Sequence, residues 1–521
     1  MKEVNADYPY YEHPKISDLH QLLKLRRDSP KTAYFWRENG KNQKRSFHDV
    51  YQDTTRLAAL FNQSFQSKQI AVIGENSYAW LIFSLAIIFS GNTCVALDKD
   101  ASPEEIKQRL KQCKVKAICY SESYCPEVAA LAKDSFGFAE LDELVAKGRK
   151  AHNDYRCDPD RPAVIFFTSG TTGAGKAVML SERNLAADIY GASSLFFPHG
   201  TAASFLPYHH AFGYNTSALK PLYYGVPTFI SSSLKHLTSD FKIAHPAIIF
   251  AVPLVVETFY KQIWRQARRE HREKRLKIAL RISQNARKLG IDLRPKLFRS
   301  IHAEFGGKLQ HIICGGAYLD PKYVKWFREI GIEILNGYGI TECSPVLSVN
   351  RNNFHRDGSI GQICRDVEVH IIDGEIVAKG DIVMLGYYDN PSETAKVLKN
   401  GHYFTGDLGY IDEDGFLFIT GRKKNLIILS NGENLSPEAI ETTLGKDRAI
   451  DEIQVYAQSG RIIAEIFPTE SYLGDQEYFD DIIYKYNQSQ PTNHQIAFAK
   501  LRNRPFPRNN NGKIIRKQTE D

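Results

Sequence analysis

Ile165-Phe-Phe-Thr-Ser-Gly-Thr-Thr-Gly-Ala-Gly-Lys-Ala-Val-Met-Leu180 is the stretch that decides the fold class. An apolar β run, Ile165 to Phe167, leads into Thr168, Ser169, Gly170, Thr171, Thr172, Gly173 and then Lys176. Small hydroxyl residues among glycines let backbone N–H groups close on a phosphate, and the hydroxyls add donors. Lys176 adds a point charge. Taken literally, Gly170 to Lys176 fits the G-x-x-x-x-G-K loop of P-loop nucleotide hydrolases. Two features argue against that class. Residue 177 is alanine, so the Mg²⁺-binding hydroxyl is missing. Ala177-Val-Met-Leu180 also continues as a strand before Ser181 starts a helix, whereas a P-loop opens directly into its helix. The segment is predicted to be a hairpin tip that binds phosphate.

The strand before this loop belongs to a longer alternation. Gln69–Gly74, Gly91–Leu97 and Lys116–Tyr120 are strand patterns, separated by helical patterns over Ser77–Phe89 and Pro103–Gln112. Repeated βαβ order predicts mostly parallel sheets covered by helices. Leu254 to Phe305 is predicted to form one or two long helices, broken at Gly290 and Pro295. Gly386 to Leu429 is rich in Gly, Tyr, Asp and Thr and suggests hairpins and a boundary. After Ser430 an α+β pattern begins. It has a helix from Pro437, strands near Ile453–Tyr456 and Ile462–Ile466, and a helix near Glu477–Tyr486. The expectation is an α/β protein with a large N-terminal domain, 1–422. That domain has mixed, mostly parallel, helix-covered sheets plus a small β-rich subdomain. A small mobile α+β C-terminal domain, 423–521, follows.

Composition narrows the class. The 521 residues suggest about three structural units at ~150 residues each. A hydrophobic share of 43% and a charged share of 24% exclude disorder and fibrous repeats. The longest apolar run, Ala79 to Phe89, is too short to cross a bilayer. The first twenty residues carry charges and no apolar signal core. Eight cysteines without a C-x-x-C pair suggest neither a zinc site nor a disulfide framework. Cytoplasm is the expected compartment. The net charge of +7 gives no signal for nucleic acid. The charge is uneven, however: residues 261–288 hold eleven Lys or Arg, and the tail from Lys500 to Lys517 holds seven with no acid. Each is a candidate surface for phosphate or an acidic partner.

Three further clusters carry chemistry. In Leu335-Asn-Gly-Tyr-Gly-Ile-Thr-Glu-Cys-Ser344, Tyr338 offers a face for stacking a base, Thr341 a hydroxyl, and Glu342 a hard oxygen ligand for Mg²⁺. Upstream, Ile313-Cys-Gly-Gly-Ala317 ends a strand with two glycines, which allows close backbone approach to a ligand. In Tyr403-Phe-Thr-Gly-Asp-Leu-Gly409 and Thr420-Gly-Arg-Lys-Lys424, Asp407 and Arg422 can bind a ribose diol. In the basic tail, Lys513 after Gly512 can insert into an active site.

Together, in this order, these motifs resemble the adenylate-forming superfamily, and in particular its fatty acyl-CoA synthetases. The resemblance runs from about residue 45 to Lys517. It implies that a carboxylate attacks the α-phosphate of ATP, giving acyl-AMP and pyrophosphate, and that a thiol then displaces AMP. By resemblance, Thr168, Ser169, Gly170, Thr171, Thr172, Gly173 and Lys176 hold the β- and γ-phosphates. Gly315, Gly316 and Ala317 line the adenine, with Asn336, Gly337, Tyr338 and Gly339 beside it. Thr341 touches the α-phosphate and Glu342 holds Mg²⁺. Asp407, Ile419 and Arg422 contact the nucleoside. Lys513 bridges carboxylate and α-phosphate. Lys424 takes the hinge position, and Gly432 and Glu433 the loop of the thiol tunnel. Two departures stand out. The family usually has Pro before the loop lysine and Gly after it, where this chain has Gly175 and Ala177, which predicts a more flexible loop. It also usually has Thr or Ser before the tail Gly-Lys, where this chain has Asn509-Asn-Asn511.

Pro207-Tyr-His-His-Ala-Phe-Gly213 resembles the family's acyl-pocket motif, with His210 as the carboxylate gate. Amino-acid-activating members place Asp where this chain has Gly213. A buried ammonium without a partner is costly, so an α-amino acid is disfavoured. The expected substrate is a fatty acid. The expected thiol is coenzyme A, with phosphopantetheine on an acyl carrier protein as the alternative. A non-catalytic nucleotide-binding regulator is the alternative of a different class, and Lys513 argues against it. The basic segment after Leu254 resembles the long-chain subgroup. There Ile263, Trp264, Leu276, Ile278 and Leu280 interleave with cations, a pattern suited to a membrane surface or an acidic carrier protein.

Overall fold

The computed structural model describes residues 10–517 except 125–127, 129, 169–174, 353, 430–432, 459 and 509–513. The chain divides into two compact units. One comprises residues 1–369 and 378–403, the other 370–377 and 404–521.

The βαβ order predicted for the first unit is present. Strands Gln69–Ile73, Thr93–Leu97 and Ala117–Tyr120 alternate with helices Tyr78–Phe89 and Pro103–Gln112. They belong to a seven-stranded sheet in the order 386–387, 176–181, 162–168, 93–97, 69–73, 117–120, 134–137. Pairing is parallel from 162–168 onward and antiparallel at the 176–181 end. Tyr78–Phe89 is apolar on all sides, so it requires cover all round. Every residue in it except Ala79 is buried. Trp80 packs edge-on against Tyr208 and Tyr214, with centroids 5.5 and 5.6 Å away. Its one polar interruption, Ser84, donates to Leu81 O at 2.8 Å.

A second sheet has nine strands in the order 362–363, 346–349, 333–339, 311–314, 248–251, 202–204, 228–230, 32–38, 41–46. Its middle is parallel. The outer strand Lys41–Ser46 was not legible in the sequence, because its residues are polar throughout and largely exposed. Ile312, Leu335, Phe250 and Phe327 are part of one contiguous core that covers this sheet. Strands His311–Cys314 and Glu333–Gly339 run parallel with Cys314 opposite Asn336. Gly315 and Gly337 therefore lie side by side at the carboxyl ends of neighbouring strands, the edge where α/β sheets bind ligands.

The basic segment forms two helices, Pro253–Arg269 and Glu273–Lys288, followed by the short helices Arg294–Leu297 and Arg299–Glu304. The expected break at Gly290 is present, but Pro295 lies in the first turn of the 294–297 helix, and a further break falls at 270–272, where His271 has φ +54°. Ile263, Leu276 and Leu280 pack onto the core, and Trp264 packs near Trp326. Of the five apolar residues singled out from the sequence, only Ile278 is more than half exposed (54%). The stripe therefore faces mainly inward. No helix among the described residues is long and apolar enough to cross a membrane. All seven described cysteines are free, and Cys125 lies outside the described residues.

In the second unit, strands Ile450–Gln458, Arg461–Pro468 and Ile496–Leu501 form a three-stranded sheet. The first pair is antiparallel and the second parallel. Helices Pro437–Leu444 and Gln476–Asn487 supply Ile440, Leu444, Phe479 and Ile483 to its core. Most of the described tail cations are paired. Arg502 pairs with Glu465 at 2.8 Å, Arg508 with Glu452 at 2.7 Å, Lys517 with Glu465 at 2.7 Å, and Arg516 with Glu441. Four of the tail's seven basic residues thus sit opposite acids from the same unit.

Candidate active site

The deciding segment is a hairpin, as its sequence predicts. Strand Pro162–Thr168 pairs antiparallel with Lys176–Ser181, and Thr168 lies opposite Lys176. The next helix, Glu182–Ser193, starts only after that strand, with Ser181 as its N-cap. This is not P-loop geometry. Ser169, Gly170, Thr171, Thr172 and Gly173 lie outside the described residues. Gly175 has φ +69°, and a Cβ there would lie 2.6 Å from Thr168 O. Proline cannot adopt that φ, so the absence of the usual proline follows from the backbone of this turn.

Lys176 projects from the hairpin to Glu393, at 2.9 Å. Its ammonium also lies 4.8 Å from the centroid of the Tyr387 ring. Tyr387 donates its hydroxyl to Glu342 Oε1 at 2.9 Å. One tyrosine thus links the candidate phosphate lysine to the candidate metal carboxylate. Lys176 and Lys396 hold the Glu393 carboxyl down at about 2. Burial, then the Glu342 anion, pushes the Tyr387 hydroxyl far above its ordinary value, so it remains a donor. Glu342 sits in a single turn, Thr341–Cys343, that follows the 333–339 strand. Among the described residues its Oε2 accepts no hydrogen bond, which suits a hard cation.

The sequence motifs pointed to neither Tyr387 nor Glu393. Both follow Gly386 in Tyr387-Tyr-Asp-Asn-Pro-Ser-Glu393. They reach the hairpin because Tyr387 pairs with Val178 across more than two hundred residues of chain.

The strand-end glycines line a largely apolar cavity with Tyr338 and Phe212. The cavity's space for water-sized contents is about 60 Å³. Gly316 has φ +88°, and a Cβ on Gly315 would lie 3.3 Å from the Phe212 ring. Gly339 admits no side chain, since a Cβ would fall 1.7 Å from Pro345 O. Among the described residues Asn336 Oδ1 is buried without a partner. Ala317 follows in the loop after Gly316.

The acyl-pocket motif runs into a π-helical stretch, Phe212–Leu219. Such stretches are rare and recur at functional sites. Gly213 is sterically fixed: a Cβ there would lie 2.0 Å from Pro207 O, so no aspartate fits. The His210 ring packs against His209, centroids 4.3 Å apart. His209 is buried, 3.3 Å from Asp98, and burial lowers its pKa well below the ordinary value.

The second unit holds the remaining residues. Asp407 and Arg422 are cross-strand partners, and Arg422 Nε donates to Asp407 Oδ1 at 2.6 Å. Asp407 is buried, and Arg422 is half-buried. Ile419, on the same strand as Arg422, is exposed. Lys424 is exposed in the turn Lys423–Asn425, beside a Lys423–Glu375 pair at 2.9 Å. Glu433 accepts from Asn493 at 2.7 Å and lies 3.2 Å from His494. Gly432 and Lys513 lie outside the described residues.

Residues 24–388 match the sequence model of the AMP-binding enzyme family, and residues 424–521 match that of the AMP-binding enzyme C-terminal domain. A long-chain-fatty-acid–CoA ligase of Mycobacterium bovis is 25% identical over 515 aligned residues, covering 89% of this chain and 84% of its own. A chloroplastic long-chain-fatty-acid–[acyl-carrier-protein] ligase of Arabidopsis thaliana is 29% identical, covering 77% and 68%. Among solved structures, the ATP-bound MatB of Rhodopseudomonas palustris superposes with a TM-score of 0.77 at 20% identity, over 96% of this chain and 97% of that one. The o-succinylbenzoate CoA synthetase of Bacillus subtilis, bound to its acyl-adenylate, gives 0.74 at 21%, over 96% and 97%. With one family model covering residues 24–388 and its C-terminal companion 424–521, the chain belongs to the AMP-binding enzymes.

Proposed function

We propose that this protein is an AMP-forming acid–thiol ligase that activates a fatty acid with ATP and passes the acyl group to coenzyme A. The observation that carries the reading is the cavity of the first unit. Strand-end glycines and Tyr338 form one part of it, and apolar side chains such as Phe196, Phe250 and Val349 form much of the remainder. That combination suits a flat base beside a hydrocarbon tail.

In the first step a carboxylate oxygen attacks the α-phosphorus of ATP. The bond to the bridging oxygen breaks, and pyrophosphate leaves. Two anions must meet, so fixed cations and dipoles must offset their repulsion. Lys176 and the hydroxyls from Thr168 to Thr172 hold the leaving phosphates. Asn336, Gly315, Gly316, Ala317, Gly337 and Gly339 frame the adenine, and Tyr338 stacks on it. Thr341 contacts the α-phosphate. Glu342 fits Mg²⁺, which supplies charge neutralisation at the phosphates. Asp407 and Arg422 bind the ribose, Ile419 packs nearby, and His210 gates the carboxylate. Lys513 bridges the attacking oxygen and the α-phosphate. In the second step a thiolate attacks the acyl carbon, and AMP leaves. We place the domain join at 422/423, with Lys424 as the hinge that exchanges Lys513 for the loop of Gly432 and Glu433.

A carrier-protein phosphopantetheine is the second reading for the thiol. The Arabidopsis relative's acceptor favours it, and so do the exposed cations Lys274, Arg275 and Arg281 on the 273–288 helix. ATP–pyrophosphate exchange tests the first step. Exchange that requires an aliphatic carboxylic acid supports the proposal, and exchange only with amino or aryl acids contradicts it.

A further inference from the structure

One stripe of side chains crosses the apolar cavity: Phe212, Thr216, Lys220 and Tyr224, four residues apart. That spacing keeps them on one helical face. Phe212 touches the Gly315 end, and Tyr224 marks the other end, where its hydroxyl donates to Phe196 O at 2.8 Å. Thr216 and Lys220 stand between. Both are buried, at 2% and 4% exposure. Among the described residues the Thr216 hydroxyl has no hydrogen-bond partner.

The Lys220 ammonium lies 3.7 Å from Asp188 Oδ2, too far for a good hydrogen bond, and has no other partner among the described residues. Asp188 itself is well supplied. Its Oδ1 accepts from Val346 N at 2.6 Å, and its Oδ2 from Asn215 Nδ2 at 2.7 Å. Lys220 therefore faces Asp188 alone among the described residues, and its ammonium has donors left for another acceptor. A pocket meant only for hydrocarbon gains nothing from buried donors, because each is paid for in lost hydration.

We infer that the acyl pocket selects a carboxylic acid bearing a neutral oxygen, a hydroxyl or a ketone, part way along its chain, held by Thr216 and Lys220. The inference rests on the fatty-acid reading above and narrows it. A neutral oxygen fits better than a second carboxylate. Asp188 already stands opposite Lys220, so a second carboxylate would crowd two carboxyl groups onto one ammonium. A site built to hydrogen-bond an oxygen discriminates strongly against the analogue that lacks it.

The test is acid-dependent ATP–pyrophosphate exchange with hexadecanoic acid, a positional series of its hydroxy and oxo derivatives, and hexadecanedioic acid. The wild type is expected to favour one mid-chain oxygenated isomer over the plain acid by about 10–100-fold in kcat/KM. Thr216→Val, nearly the same shape, is expected to cut that preference about tenfold. The double variant Lys220→Met/Asp188→Asn leaves no unpaired buried charge and is expected to abolish it. A wild-type preference for the plain acid or for the dicarboxylate overturns the inference while sparing the fatty-acid reading. So does an oxygenated preference that both variants keep. No exchange with any acid of the series overturns the fatty-acid reading, and the inference with it.

Discussion

At Gly213 and Gly339 the backbone itself fills the space, and an added Cβ would lie 2.0 and 1.7 Å from a carbonyl oxygen. At Lys176 and Arg422 the side chains are 32% and 43% exposed, and each holds a carboxylate of its own chain. At the first pair, of which Gly339 lines the cavity, packing fixes the backbone before any ligand arrives. The second pair are cations already neutralised by carboxylates of their own units, and under the proposed function each exchanges that partner for the nucleotide. Shape here is rigid and intolerant of change. Charge is easier to rearrange, most of all at the partly exposed Lys176–Glu393 pair, since such pairs contribute only about 0–1 kcal/mol.

The largest effect is expected where shape is broken. Gly339→Ala forces a methyl group onto Pro345 O. It should destabilise the first unit by at least about 3 kcal/mol, read by thermal unfolding, and abolish pyrophosphate exchange. Full activity in that variant would show the cleft to be plastic.

Lys513→Ala comes next. Removing one preorganised charge should cost adenylation about 10²–10³-fold, while thiolysis of supplied acyl-adenylate suffers much less. Equal losses in both half-reactions would contradict the proposed division of labour.

Tyr387→Phe removes the hydroxyl that orients Glu342. It should slow adenylation about tenfold and raise the Mg²⁺ concentration needed for half-maximal rate. An unchanged Mg²⁺ dependence would separate Glu342 from the metal.

Glu393→Gln frees Lys176 from its resident partner. It should lower the KM for ATP severalfold with kcat little changed, the scale of one exposed pair. A higher KM would mean that Glu393 positions the lysine rather than competing for it.

The smallest effect concerns pH. Burial pushes the Asp188 carboxyl up to about 7, with Lys220 opposing. A carboxyl with a raised folded pKa binds its proton more tightly in the folded state. The stability it contributes is complete below about 4 and is lost as pH rises through about 7. The melting temperature of the wild type should fall across that window more steeply than that of Asp188→Asn. Parallel slopes would contradict the raised value.

Much of this arrangement was legible from residues alone, because the signals were local. Ala177 and the strand after it excluded a P-loop helix, and the antiparallel pair Thr168–Lys176 agrees. The apolar run of Tyr78–Phe89 announced a fully covered helix, and nearly all of it is buried. What escaped depends on contacts remote in sequence. Tyr387 and Glu393 join Lys176 only through pairing of strand 386–387 with 176–181. The inward turn of Ile263, Leu276 and Leu280 could not be told from a membrane-facing stripe, because periodicity marks an apolar face without naming what covers it. The tail cations looked like a free patch because Glu441, Glu452 and Glu465 lie some forty to eighty residues earlier in the chain.

The central claim is a two-step acyl transfer through an adenylate. Product analysis by mass spectrometry tests it most directly, with ATP, Mg²⁺ and a mixture of aliphatic carboxylic acids, with and without coenzyme A. The account predicts acyl-AMP and pyrophosphate without the thiol, and acyl-CoA and AMP with it. No AMP-linked product from any acid, or ADP and phosphate in its place, would contradict the account.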